Sequence, residues 1–226
     1  RDRNIKIVED SAESLGTVYN NSQHTGTIGD IGCFSFNGNK IITTGGGGMI
    51  VTNDDNYAAN CRYLTTQAKD DELRYIHNEI GYNFRMPTMN AALGLSQLNK
   101  ISKIIKLRRE KAFYYHDKLK DIKNIKLPKQ FENQKHVYQM YTIQLKNKKT
   151  RDNFQKHLTK KGIMTKVYFY PIHLKTYYKN KFGYKRGDLP KTEKLSEKVL
   201  TLPLYPDLAK SDQELITKSI IEYFND

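Results

Sequence analysis

Tryptophan is absent from the sequence, and only two cysteines and six prolines occur among its 226 residues. Two cysteines, Cys33 and Cys61, cannot build the disulfide framework of a small secreted domain, so a reducing, cytoplasmic setting is expected. Each thiol reads as a buried structural residue before it reads as a nucleophile. No run of about 18 apolar residues is present, so no membrane helix is expected. Behind Arg1-Asp2-Arg3-Asn4 there is no apolar segment of the kind a signal peptide needs. What is present, 38% hydrophobic and 27% charged residues, suits a globular chain with a real core.

Positive charge is plentiful but unevenly placed. The net charge is +14, yet residues 1–100 hold 9 basic against 11 acidic residues, and residues 101–226 hold 29 against 13. Runs such as Lys146-Asn147-Lys148-Lys149 read as solvated surface. No zinc-finger spacing, RNA-binding aromatic motif or basic-region heptad accompanies them, so no nucleic-acid partner is expected. Attraction for a small anionic substrate is compatible with this surface.

Strand-like segments open the chain: a buried Ile5–Val8 running into Glu9-Asp10, then Gly32–Phe36, then Met49–Thr52. A helix is expected from about Asp54, and a long helical region from Pro87 to about Leu119, with a compact small-and-apolar face. Beyond it the pattern predicts a strand over 137–145, a helix over 150–161 ended by Gly162, and a strand over 163–169. Helices over 191–199 and 211–224 follow, with Ser211 and Glu214 spaced as a capping box. Gly-punctuated strands followed by helix point to an α/β fold. The shift in charge places a domain change near residue 105, giving domains 1–105 and 106–226.

Three features could carry chemistry. Asp10 ends an apolar strand, where it could cap a helix, bind a metal or face a protonated heterocycle. Lys40 is the only charged residue between Ile31 and Asn53. Desolvation there would favour a neutral, nucleophilic amine, although a lysine snorkelling from a turn is the commoner case. Gly45 to Gly48 match neither Walker nor Rossmann spacing and suit close passage of backbone past a ligand.

Taken in order, Glu9-Asp10-Ser11-Ala12, Gly26-Thr27-Ile28-Gly29-Asp30-Ile31-Gly32, Phe34-Ser35-Phe36 with Lys40, and Gly45–Thr52 resemble the DegT/DnrJ/EryC1/StrS sugar aminotransferases. The likeness continues through Gly81–Met86, Ala91–Leu98, Tyr170–Leu174 and Leu202–Pro206. It implies part of the large domain of a fold type I pyridoxal-phosphate (PLP) transferase, followed by a smaller α+β carboxyl-terminal domain. It also implies that Lys40 carries PLP as a Schiff base and shuttles protons, that Asp10 pairs with the pyridinium nitrogen, and that Ser35 binds the cofactor phosphate. Asn83 would reach that phosphate from the neighbouring subunit of a homodimer. Arg85 is a candidate for phosphate or interface contacts, with a structural ion pair as its alternative. His173 is a candidate for the sugar-nucleotide side, with a structural histidine as its alternative. No metal ligand set is expected, and His77 has no assigned role.

Two departures from the family pattern stand out. Glu13 occupies a position near the cofactor ring where the family often has His or Gln, and a carboxylate there would repel a phenolate oxygen unless protonated or turned away. Family members also carry a substantial region before the Asp10 strand, so the chain is expected to be a fragment. The implied reaction moves an amino group from glutamate to a nucleoside-diphosphate keto-sugar. The Ser35–Gly48 run most resembles the branch making 4-amino-4,6-dideoxy sugars for legionaminic-type pathways. A PLP-dependent sugar dehydratase would have histidine in place of Lys40. A non-catalytic or regulatory family member and a basic nucleic-acid binder complete the alternatives.

Overall fold

The computed structural model describes residues 3–71 and 73–225; Arg1, Asp2, Glu72 and Asp226 lie outside the described residues. The chain forms two compact units, one of Arg1–Lys106 and Gln130–Gln139, the other of Leu107–Lys129 and Met140–Asp226.

In the first unit, β1 (Val8–Asp10) leads to a hairpin of β2 (Val18–Tyr19) and β3 (Gln23–His24), then to β4 (Ile31–Ser35) and β5 (Gly48–Val51). β4 is the middle strand of a three-stranded sheet, parallel to β1 and antiparallel to β5. The sequence pattern did not announce the β2–β3 hairpin. Its signal is Asn20-Asn21, whose φ angles of 50° and 65° give the left-handed turn that asparagine tolerates. The opening strand differs from expectation in burial: Ile5 is 66% and Val8 64% exposed. β1 lies at an edge of the sheet, and only Val8–Asp10 enters the ladder.

Asp54 caps α1 (Asp55–Thr65), its Oδ1 accepting from Asn56 N and Tyr57 N at 2.9 and 3.1 Å. Pro87 precedes α2 (Thr88–Leu98), and α3 (Ile101–Leu119) follows after Asn99-Lys100. The expected continuous helix is therefore two helices, because Lys100 N bonds Gln97 O and tightens the junction. Phe36, Ile41, Ile42, Ile105 and Val137 form the buried core, flanked by Leu15, Phe34, Met86, Ile101 and Ile104. Val137 comes from a segment placed by the sequence pattern beyond the domain change. That segment returns to the first unit through Val18–Lys135 pairing and the Asn21 N to Asn133 O bond of 2.9 Å.

The second unit holds β6 (Tyr141–Gln144), α4 (Lys148–Lys160), a 3-10 turn at Ile172–Leu174, α5 (Thr176–Phe182), α6 (Pro190–Ser196), β7 (Val199–Leu202) and α7 (Lys210–Asn225). β6 pairs antiparallel with β7, and α4 packs on both β7 and α7. Phe154, Leu158, Leu200 and Ile220 are fully buried there, and the Phe154 ring lies 5.0 Å from both Tyr223 and Phe224. Several expectations are corrected. Residues 163–169 form no strand; they touch the second edge of β7 only through the isolated Lys166–Thr201 bridge. α6 ends at Ser196, and Val199 begins a strand. Ser211 lies inside the first turn of α7 rather than capping it. Among the described residues, no helix is long and apolar enough to cross a membrane.

Candidate active site

Glu9 and Asp10 are neighbours on β1, and their side chains do different work. The Glu9 carboxylate accepts from three backbone N–H groups: Gly26 at 2.8 Å, Ile28 at 2.6 Å and Gly29 at 2.5 Å. Desolvation works against its charge, but the three donors outweigh it and hold the carboxyl below its ordinary range. The bend 26–29 is thereby fastened to β1. A Cβ on Gly32 would collide with the Gly26 carbonyl, so this close approach requires glycine.

Asp10 is exposed at the carboxyl end of β1, level with Cys33 of β4. Its Oδ1 accepts from Ala12 N at 3.2 Å. Ser11 N donates to Cys33 O at 2.9 Å, so the chain stays against β4 as it turns. That turn delivers Glu13, whose Oε1 lies 3.2 Å from Lys40 Nζ. The Lys40 side chain is only 13% exposed.

Lys40 stands on the loop between β4 and β5. Its N bonds Asn37 O at 3.0 Å, closing a turn, and Ile41 and Ile42 behind it are buried in the core. Thr43 Oγ1 and Thr44 N both donate to Phe36 O, and Asn90 Nδ2 donates to Thr44 O at 2.6 Å. Gln139 Nε2 donates to Asn39 O at 2.5 Å. Ser35, the last residue of β4, has its Oγ 3.5 Å from Asn37 N. Asp10, Glu13, Ser35 and Lys40 therefore gather at the carboxyl ends of the parallel pair β1 and β4, where α/β sheets collect ligands.

Asn83 and Arg85 sit elsewhere in the first unit. The segment 82–84 runs beside the end of α1 through Tyr82 N to Leu64 O (2.7 Å) and Phe84 N to Thr65 O (3.0 Å). Both residues line an open cavity of about 1010 Å³ together with Cys33, Phe34, Gly47, Cys61 and Arg62. Asp10, Glu13, Ser35 and Lys40 do not line it. His173 belongs to the second unit and is buried, with Nε2 3.0 Å from Glu193 Oε1. Gly187 N and Leu189 N donate to the same carboxylate. His173 first, with these N–H groups, holds the Glu193 carboxyl low against its desolvation. A ring so enclosed has the surroundings of a structural histidine. Among the described residues, no cluster of His, Cys, Asp or Glu is arranged to hold a metal ion.

Sequence reasoning passed over Glu9 and Gln139. The glycines at 26, 29 and 32 next to a strand-borne glutamate were a readable sign of the first. Gln139 left no sign, because its partner is 100 residues away.

An amine partly withdrawn from water and paired with Glu13, on the loop after β4, next to a strand β1 that ends in the exposed carboxylate of Asp10, is a donor set that can take an aldehyde-bearing cationic heterocycle. The comparisons with known proteins point the same way. The sequence profile of the DegT/DnrJ/EryC1/StrS aminotransferase family matches residues 1–221. A GDP-perosamine synthase of Escherichia coli O157:H7 is 35% identical over 226 residues, covering 100% of this chain and 60% of that protein. The crystal structure of a DegT DnrJ EryC1 StrS aminotransferase from Brucella abortus is 31% identical, with a TM-score of 0.86 over 98% of this chain and 58% of that one. Helicobacter pylori PseC, an aminotransferase involved in the biosynthesis of pseudoaminic acid, is 27% identical, with a TM-score of 0.91 over 99% of this chain and 61% of that one. The chain spans about 60% of the length of these relatives, and it belongs to the DegT/DnrJ/EryC1/StrS aminotransferase family.

Proposed function

We propose that the protein is a PLP-dependent aminotransferase that moves an amino group from glutamate to a nucleoside-diphosphate keto-sugar, of the 4-keto-6-deoxy kind. The observation that carries this reading is the gathering of Lys40, Glu13 and Asp10 at one end of the β1–β4 pair. Family membership supports PLP as the cofactor. When bound, PLP supplies an electron sink for breaking and making bonds at the carbon that bears nitrogen.

The residues present fit that group. Lys40 Nζ is a primary amine steered by a carboxylate and backed by core residues, so it can bond the cofactor's carbonyl carbon and carry a proton to or from the reacting carbon. Asp10 offers an anion for a protonated ring nitrogen; one of its oxygens is engaged by Ala12 N. Glu13 Oε1 accepts a hydrogen bond from Lys40 Nζ and holds the amine in place while it is free. Ser35 Oγ, at the strand end, is suited to a phosphate oxygen. Asn83 and Arg85 complete the phosphate side from the neighbouring copy of a homodimer, a reading supported by the exposed apolar side chains of α2, with Met89 83% and Leu95 66% exposed. His173 remains outside this set. A biosynthetic enzyme of cell-surface sugars working in the cytoplasm is the setting proposed.

The test is direct. Full-length protein with PLP, glutamate and a panel of nucleoside-diphosphate keto-sugars should give amino-sugar nucleotides detectable by mass, with 2-oxoglutarate in equal amount. Failure of glutamate alone to convert bound PLP to its amine form would sink the proposal. Light scattering should give twice the protomer mass; a monomer with full activity would remove the shared site.

A further inference from the structure

The turn that presents Lys40 is held unevenly. On its carboxyl side, Ile41 and Ile42 are 6% and 3% exposed and locked into the core. On its amino side, Asn37, Gly38 and Asn39 are all exposed, and a Cβ at Gly38 would meet nothing. The carbonyl immediately before Lys40 is tied down by the amide of Gln139, a buried side chain. Its segment is itself well anchored, by Lys135 N to Val18 O at 2.9 Å and by Val137 in the core. Between Val137 and Gln139, Tyr138 takes a left-handed φ of 51°. A bulky residue adopts that conformation only at a cost, and such costs are tolerated where they aim a side chain.

We infer that Gln139 is a positioning residue: by holding the Asn39 carbonyl it sets the direction from which Lys40 Nζ approaches Glu13 and the cofactor. The inference rests on Lys40 being the cofactor-bearing lysine. Because the amine must arrive within bonding range of one carbon, a small rotation of its turn lowers the reaction rate far more than it lowers stability. Gln139→Glu keeps the shape but sets an oxygen against the carbonyl. Gln139→Asn keeps the amide but withdraws it by roughly one bond, about 1.5 Å. Gln139→His restores an N–H at similar reach.

The test uses full-length protein freed of cofactor. Two rates are measured: PLP loading, followed by visible absorbance and borohydride fixation, and acylation of Lys40 relative to the surface lysines Lys146, Lys148 and Lys149, read by peptide mass. Gln139→Glu and Gln139→Asn should slow loading by about tenfold, with the Lys40 acylation ratio altered and the melting temperature within a few degrees. Gln139→His should recover most of the rate. If Gln139→Glu does not fold, Gln139→Asn carries the comparison alone. Wild-type loading and acylation in folded variants would overturn the role of Gln139. Absence of loading at Lys40 in the unaltered protein would instead overturn the reading of Lys40, so the two failures are distinguishable.

Discussion

Glu13 Oε1 stands 3.2 Å from Lys40 Nζ across 27 residues of sequence. The contact links the turn after β1 to the loop after β4, through a glutamate three residues along the chain from Asp10. A lysine merely snorkelling from a turn would keep its ammonium in water, whereas this side chain is 13% exposed and directed at a carboxylate.

Asp10 should matter for rate more than for stability, since it is exposed and, among the described residues, its side chain accepts from Ala12 N alone. Asp10→Asn keeps that bond and removes the charge. The expected outcome is a loss on the order of a hundredfold in kcat, with PLP still attached to Lys40. Steady-state kinetics beside an absorbance spectrum checks it; a near-normal kcat would remove Asp10 from the ring-nitrogen position.

Glu9 should show the reverse balance. Glu9→Gln replaces a charged acceptor of three N–H groups by an amide, and should cost about 1–3 kcal/mol in denaturant unfolding of the first unit. The carboxyl is lower in the folded state than in the unfolded chain, so its stabilisation is full above the unfolded carboxyl value of about 4.3. It is lost as pH falls through the lowered folded value. The variant should therefore flatten the acid limb of stability against pH. An unchanged acid limb would contradict the cradle.

Asp54 at the head of α1 and Gly162 behind α4 were legible in the sequence because caps act within one turn of the chain. Lys40 was legible as a lone charge in an uncharged run. The exposure of Ile5 and Val8 was not, because an apolar strand pattern does not say which faces find neighbours. Nor was the docking of 130–139 beside Lys40, which depends on contacts across roughly a hundred residues that no local period encodes. His173 was placed by a motif, yet its surroundings, Glu193 and the N–H groups of Gly187 and Leu189, arise from tertiary structure.

His173 and Glu193 should act as one structural unit. His173→Ala leaves the Glu193 carboxylate without its side-chain partner and should lower the melting midpoint of the second unit, while His173→Gln, which retains a donor, should lower it less. The folded Glu193 carboxyl is held low chiefly by His173, so its contribution is present above the unfolded carboxyl value and fades as pH drops through the folded one. A His173→Ala variant with unchanged melting but weakened sugar-nucleotide binding would instead give the histidine a substrate role.

The identity of the reacting amine is open to one decisive spectrum. Full-length protein carrying Lys40→Ala, mixed with PLP, should show no visible band of a lysine-bound cofactor before reduction and no cofactor-modified peptide after borohydride, while the unaltered protein shows the band before reduction and, after it, the added mass on Lys40. Retention of the band, or attachment at another lysine in the unaltered protein, would contradict the account.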